Sequence, residues 1–162
     1  FLISKIINRS GEILFEKKIK EPIQVIDPRI AFLINDILKE AALRGTARKV
    51  SELERNDFSG KTGTTNEAES TWFTGYNGHI VTSVWVGFDK PKSLGDREFG
   101  SSIALPIWLD YKKEITDSIP ISVSLPPAGL SIVKIDKESG ELANSTTTKS
   151  MFEYFLEENL PN

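Results

Sequence analysis

The spacing of apolar positions changes several times along this chain, and each change marks an element. In "FLISKIINRSGEILFEKKI" two apolar-rich runs flank Arg9, Ser10 and Gly11, whose chemistry suits a tight turn, so the segment predicts a β-hairpin. After Asp27 and Pro28 the period lengthens. Ile30, Leu33, Ile34, Ile37, Leu38, Ala41 and Ala42 fall on one face of a helix that Gly45 closes. Asp27 as N-cap, Pro in the first turn and Gly beyond the last turn agree with that period. The apolar face predicts a helix that packs into a core.

"TARKVSELERND", residues 46–57, reads as a polar connector with one helical turn. From Phe58 to Asp89 the pattern becomes strand-like in three runs, "FSGKTGTT", "STWFTGY" and "HIVTSVWVGFD", rich in Thr, Val and aromatics. The short "NEAE" and "NGH" connections predict an antiparallel meander of strands over 58–65, 71–76 and 79–88. Trp72, Phe73, Tyr76, Trp85 and Phe88 read as packing in the sheet core, ahead of a place for Trp72 and Tyr76 at the border of a groove. "GSSIALPIWLDYKKEI" predicts a second helix with Ser101 or Ser102 as N-cap and Pro106 in an early turn. "LPPAGLSIVKIDKESGELA" reads as a proline-rich link, a strand and a turn at Glu138 to Gly140. Residues 150–162 read as a short acidic tail whose apolar residues dock on the rest.

Composition narrows the function classes. At 162 residues, 39% hydrophobic and 27% charged, the chain is ordinary for a globular domain or a part of one. No apolar run approaches the ~20 residues that span a bilayer. The opening at Phe1, without a basic leader or cleavage site, suggests one piece of a longer protein. A net charge of -3, a pI near 5.3 and dispersed basic residues give no electrostatic footprint for nucleic acid. With no Cys and a single His, His79, which reads as a surface turn residue, the chain calls for no metal and no cofactor.

The candidate chemistry lies in "SGKTGTTN", residues 59–66. A phosphate-binding loop would need Gly five positions before Gly60, where Arg55 stands, and a helix after the lysine, where β-branched residues follow. As a strand, the same residues offer a cation, Lys61, and two hydroxyls on one face, Thr62 and Thr64. Gly63 between them permits close approach. That set suits a carboxylate beside a carbonyl, with a strand-edge N–H available to an oxyanion.

Taken in order, "GKTGTTNEAESTWFTGY", "VTSVWVGFD" and "GSSIALPIW" resemble the C-terminal half of the transpeptidase domain of class A penicillin-binding proteins. The likeness extends to "IDPRIAFLINDILKEAALRGTARK" upstream and "PPAGLSIVKIDKESGELA" downstream. It implies an α+β fold of the serine β-lactamase and penicillin-binding type, a mainly antiparallel sheet with packed helices, of which residues 1–162 would be the C-terminal part.

The implied function is a peptidoglycan D,D-transpeptidase within a bifunctional synthase of the bacterial envelope. Such a synthase would be anchored by an N-terminal helix outside this chain and would carry a glycosyltransferase domain. Its partners would be peptide stems ending in D-Ala-D-Ala, with β-lactams as inhibitors. The family uses Ser-x-x-Lys, Ser-x-Asn and Lys-Thr-Gly. The third matches Lys61, Thr62 and Gly63. By that resemblance Lys61 and Thr64 are catalytic, through the proton network and the Thr64 N–H, while Thr62, Gly63, Thr64 and Thr65 bind substrate.

Ser-x-Asn is absent, and the single Ser-x-x-Lys, Ser131 to Lys134, lies in a β-branched run that points the two side chains to opposite faces. The nucleophile is therefore expected outside this chain, which alone should be inactive. The alternative is a non-catalytic binding or scaffolding module that keeps the shell of the fold. Two departures stand out: Ser70 and Thr71 occupy positions where many relatives carry an acidic and a small residue, and Phe99 replaces one glycine of a common Gly-Gly pair. The second puts the loop before the Ser101 helix in question.

Overall fold

The computed structural model describes residues 2–18 and 23–162. The expected first hairpin forms from β1 (Lys5–Ile7) and β2 (Ile13–Glu16), antiparallel with Ile6 opposite Phe15. Gly11 takes a positive φ of 84°, and the Asn8 side chain accepts hydrogen bonds from Ser10 N and Glu12 N, which fixes the turn. Phe1 and Ile19, the ends of that sequence reading, lie outside the described residues.

Helix α1 (Pro28–Leu43) begins as its sequence demands: the Asp27 carboxylate accepts from Arg29 N at 2.8 Å, with Pro28 in the first turn. Its packing departs from expectation. Ile30, Ile34 and Ile37 are 40%, 52% and 63% exposed, and of the apolar face only Ala42 is fully buried. The helix rests instead through Phe32, whose ring meets Tyr154 edge-on at 5.0 Å, and through Asn35 against the sheet. An apolar period states which face avoids water, not which element covers it.

The 46–57 connector holds a short 3-10 turn, Arg48–Leu53, that buries Val50 and Leu53. The meander then follows as expected: β3 (Ser59–Thr64), β4 (Ser70–Tyr76) and β5 (Val81–Gly87) pair antiparallel in that order. Helix α2 (Ala104–Ile115) packs on one sheet face, presenting Leu105, Trp108, Leu109 and Lys112 at helical spacing. Trp108 is the centre of this core. Its ring meets Phe58 at 5.4 Å and Phe73 at 5.0 Å, both edge-on, and its indole N–H donates to Thr82 O. Gly75 makes room for it, because a Cβ there would lie 2.6 Å from the Trp108 ring.

Three sequence expectations are corrected. Of the five aromatics assigned to the sheet core, Phe73 alone is fully buried; Trp72, Trp85 and Phe88 are 45%, 46% and 50% exposed. Register explains this, since Phe73 shares the α2 face with Val84, while Trp72 pairs with Trp85 on the opposite, open face. Neither Ser101 nor Ser102 caps α2; the N-cap is Ile103, and the Ser102 hydroxyl turns back to accept from Phe99 N and donate to Glu98. Finally, the segment read as a docking tail forms strand β7 (Ser150–Leu156), which pairs antiparallel along β6 (Leu130–Asp136). The Glu138 to Gly140 turn exists, with Gly140 at φ 77°, but it leads only to a single bridge between Ile135 and Leu142. Glu158 in the final segment pairs with Arg29 at the start of α1 at 2.8 Å.

A buried ion pair joins the start of β3 to the segment after α2. The Arg55 and Asp57 side chains are 9% and 2% exposed and meet at 2.7 Å. Arg55 also donates to Thr116 O, Ile119 O and Pro120 O, while Asp57 accepts from Ser122 N and Asn77. No described helix is long and apolar enough to cross a membrane, and no described cluster has the makings of a metal site.

Candidate functional site

The motif residues occupy β3 along its outer side. In the register, Gly60, Thr62 and Thr64 stand opposite Gly75, Phe73 and Thr71, so the two threonines share the face that α2 covers. Lys61 and Gly63 stand opposite Thr74 and Trp72 on the other face. Hydrogen bonding separates the same residues by direction. Thr65 N donates to Ser70 O at 3.1 Å, and antiparallel pairing alternates every residue. The backbone N–H and C=O of Thr62 and Thr64 therefore point away from β4, toward the open edge of β3. A phosphate loop is excluded by the same geometry: Lys61 lies within a strand, and the residues after it turn into another strand.

Along that edge the side chains are gathered, each held by a specific partner. Lys61 is exposed, and its ammonium folds back to donate to Thr62 O at 3.0 Å, with Thr62 Oγ1 at 3.5 Å. No described carboxylate pairs with it, so its positive charge is uncompensated. Thr62 donates its hydroxyl to Thr46 Oγ1 at 3.0 Å. Thr64 Oγ1 accepts from Gly100 N at 3.0 Å, which leaves the Thr64 hydroxyl proton free to be donated. Thr65 is turned back on its own loop, where its hydroxyl accepts from Ser70 N at 2.9 Å. Gly100 stands close to Gly63, since a Cβ on residue 100 would lie 2.7 Å from Gly63 O. At the far end of the strand Ser59 is tied to α1, its hydroxyl donating to Asn35 Oδ1 at 3.0 Å.

Lys61, Thr62 and Thr64 thus converge on one strand edge, with two hydroxyls, a free cation and outward N–H groups. Hydroxyls, a cation and outward N–H groups of this kind are the donors that an anion would require. Ser131 is remote in chemistry: it lies in β6, with Lys134 three residues along the same strand and therefore on the other face. Among the described residues no serine hydroxyl is hydrogen-bonded to a lysine. Sequence reasoning missed Thr46 and Gly100. Thr46 follows the glycine that ends α1 and carries no motif. Gly100 had a signal, the glycine that remains beside Phe99.

No family model matches the chain. Individual relatives do. The chain is 42% identical over 138 residues to penicillin-binding protein 1A of Pseudomonas aeruginosa, covering 85% of this chain and 17% of that protein. It is 42% identical over 147 residues to penicillin-binding protein 1A of Aquifex aeolicus, covering 90% and 20%. Its fold is similar to the crystal structure of penicillin-binding protein 1A from Haemophilus influenzae, with a TM-score of 0.80, 29% identity, and coverage of 99% of this chain and 29% of that one. The chain spans about a fifth or less of the length of these two curated relatives.

Proposed function

We propose that this chain, a homologue of one part of the class A penicillin-binding proteins with their α+β fold, supplies one wall of a serine D,D-transpeptidase site. The observation that carries this reading is the open edge of β3, where the Thr62 and Thr64 hydroxyls and an unpaired Lys61 lie along outward-facing backbone N–H groups. The donor carboxylate of a peptide stem ending in D-Ala-D-Ala binds to the hydroxyls of Thr62 and Thr64. Lys61 attracts it and holds the proton network near the nucleophile. Gly63 lets the substrate backbone lie against the strand, and Thr65 orders the loop beyond it.

The reaction has two steps. A serine oxygen attacks the carbonyl between the two D-Ala residues and the terminal D-Ala leaves, which forms an acyl ester; the amine of a neighbouring stem then displaces the serine and makes the cross-link. In each tetrahedral stage the negative oxygen is stabilised by the Thr64 N–H. The serine belongs to a part of the protein other than these residues, since Ser131 sits on a strand with its lysine on the other face. The full protein works at the outer side of the bacterial inner membrane, joined to a glycosyltransferase domain, and β-lactams acylate it as substrate mimics.

Acylation of the full protein by a fluorescent β-lactam tests this. Lys61→Ala should slow labelling by at least about a hundredfold while leaving the melting temperature unchanged, as expected for loss of a charged group at the reacting centre. Labelling at the wild-type rate would remove Lys61 from the mechanism. The 162-residue chain alone should remain unlabelled; stoichiometric labelling would place the nucleophile within it.

A further inference from the structure

Thr62 has one hydroxyl proton, and in this structure it is spent on Thr46 rather than held free for a ligand. Thr46 is exposed, lies just beyond α1, and makes no backbone contact with β3 that a strand partner would make. Its hydroxyl nevertheless bridges the end of that helix to the motif strand at 3.0 Å. The Lys61 ammonium also reaches the same oxygen, at 3.5 Å. Thr62 Oγ1 thus has two partners, donating to Thr46 and accepting from Lys61.

Building on the carboxylate site described above, we propose that Thr46 is a positioning residue that sets the carboxylate preference of this site by orienting the Thr62 hydroxyl. When no anion is present, Thr46 accepts the Thr62 proton. When a carboxylate arrives, the two hydroxyls rotate: Thr62 donates to the anion and turns an oxygen lone pair toward Thr46, which donates to it. No proton changes its oxygen; Thr62 exchanges one acceptor for another, and Thr46 turns from acceptor to donor. The aligned pair polarises in the direction that strengthens the bond to the anion. Arg48 and Lys49, which line a cleft of about 400 Å³ with Thr46 and Ser101, have no described acidic partner and add positive potential on the same side.

The test uses the full-length protein and two probes, a penicillin with a free carboxylate and the same penicillin as its methyl ester. Thr46→Val keeps the side-chain shape and removes the hydroxyl. It should lower the acylation rate constant for the acid about fivefold, the scale of one hydrogen bond, and change that for the ester less than twofold. Thr46→Ser should behave as wild type with both. Equal losses on the two probes, or no loss on the acid, would overturn the proposal. Thr62→Val separates the two levels of the argument. If it erases the preference for the acid and Thr46→Val does not, only the role of Thr46 falls; if Thr62→Val itself keeps the preference, the carboxylate site falls and Thr46 with it. Melting temperatures of all three variants within about 2 °C of wild type, as for exposed or near-isosteric changes, confirm that folding is not being read; a larger drop in Thr46→Val would make its role structural and count against the proposal.

Discussion

The amide of Gly100 donates to the hydroxyl of Thr64 at 3.0 Å, and this contact joins the loop before α2 to the motif strand. The approach is close enough that a Cβ on residue 100 would lie 2.4 Å from Trp72 O and 2.7 Å from Gly63 O. Both obstacles are backbone atoms of paired strands and cannot rotate away. The glycine that the motif edge requires is therefore Gly100, while Phe99 beside it is exposed and leaves the loop intact.

Gly100→Ala should accordingly destabilise the protein by about 3 kcal/mol, the cost of forcing an atom into packed backbone. It should also slow acylation by β-lactams, because the loop can relieve the clash only by withdrawing its hydrogen bond from Thr64. Phe99→Gly should cost under about 1 kcal/mol, from backbone entropy alone. Denaturant melts of the two variants check the order.

Asp57 predicts an acid limb in stability. Burial pushes its carboxyl up, but the Arg55 hydrogen bond, the Ser122 N–H and Asn77 outweigh burial and bring the pKa down to about 2 from an ordinary 3.8. A carboxylate depressed in the folded state binds fewer protons there than when unfolded, so its contribution is present above pH 4 and lost as pH falls toward 2. The loss should amount to about 2 kcal/mol. Asp57→Asn should flatten this limb and, by leaving the Arg55 guanidinium buried without its counter-charge, cost about 3 kcal/mol or more at neutral pH. Urea titrations from pH 2 to 7 on both forms would show it; parallel limbs would assign the acid sensitivity to another carboxyl.

Lys112 predicts a second pH dependence, at the alkaline end. It is wholly buried, its ammonium has no hydrogen-bond partner, and it rests over the rings of Trp108, Tyr111 and Phe58 at 5.3, 5.5 and 5.6 Å. Burial, helped by the nearby Arg55 charge, lowers its pKa from the usual 10.5. The unfolded chain then binds the proton more readily than the folded one, so wild-type stability rises with pH through the window between the lowered value and 10.5. Lys112→Met keeps the volume without the charge and should stabilise the protein at pH 7 by about 1 kcal/mol, the remainder of the desolvation cost being offset by the aromatic faces. The advantage should shrink as pH approaches 10.5, which melts at pH 7 and 10 would reveal.

Much of this architecture was legible in the local pattern. The Asp27-Pro28 start of α1, the Gly11 turn of the first hairpin and the β3–β4–β5 meander depend on capping, positive φ and short connections, all of which act within a few residues. The strand character of "KTGTT" and its two-residue period also sufficed to place Thr62 and Thr64 on one face and to exclude a phosphate loop.

What lay beyond the sequence involved partners distant along the chain. The period of α1 marked Ile30, Ile34 and Ile37 as apolar but not as uncovered, and Lys112 fell on the buried stripe of α2 where its charge argued for solvent. Strand alternation alone could not say which of Trp72 and Phe73 faced α2, because a one-residue shift exchanges the faces. Likewise β7 found β6 across a loop, and Thr46 and Gly100 reached Thr62 and Thr64 from separate elements. The sequence by itself determined that the Lys-Thr-Gly motif forms a strand, through interactions a few residues long. Only the tertiary structure decided which edge of it is open and which hydroxyls are held there, because burial and pairing depend on segments that meet only after the chain has folded.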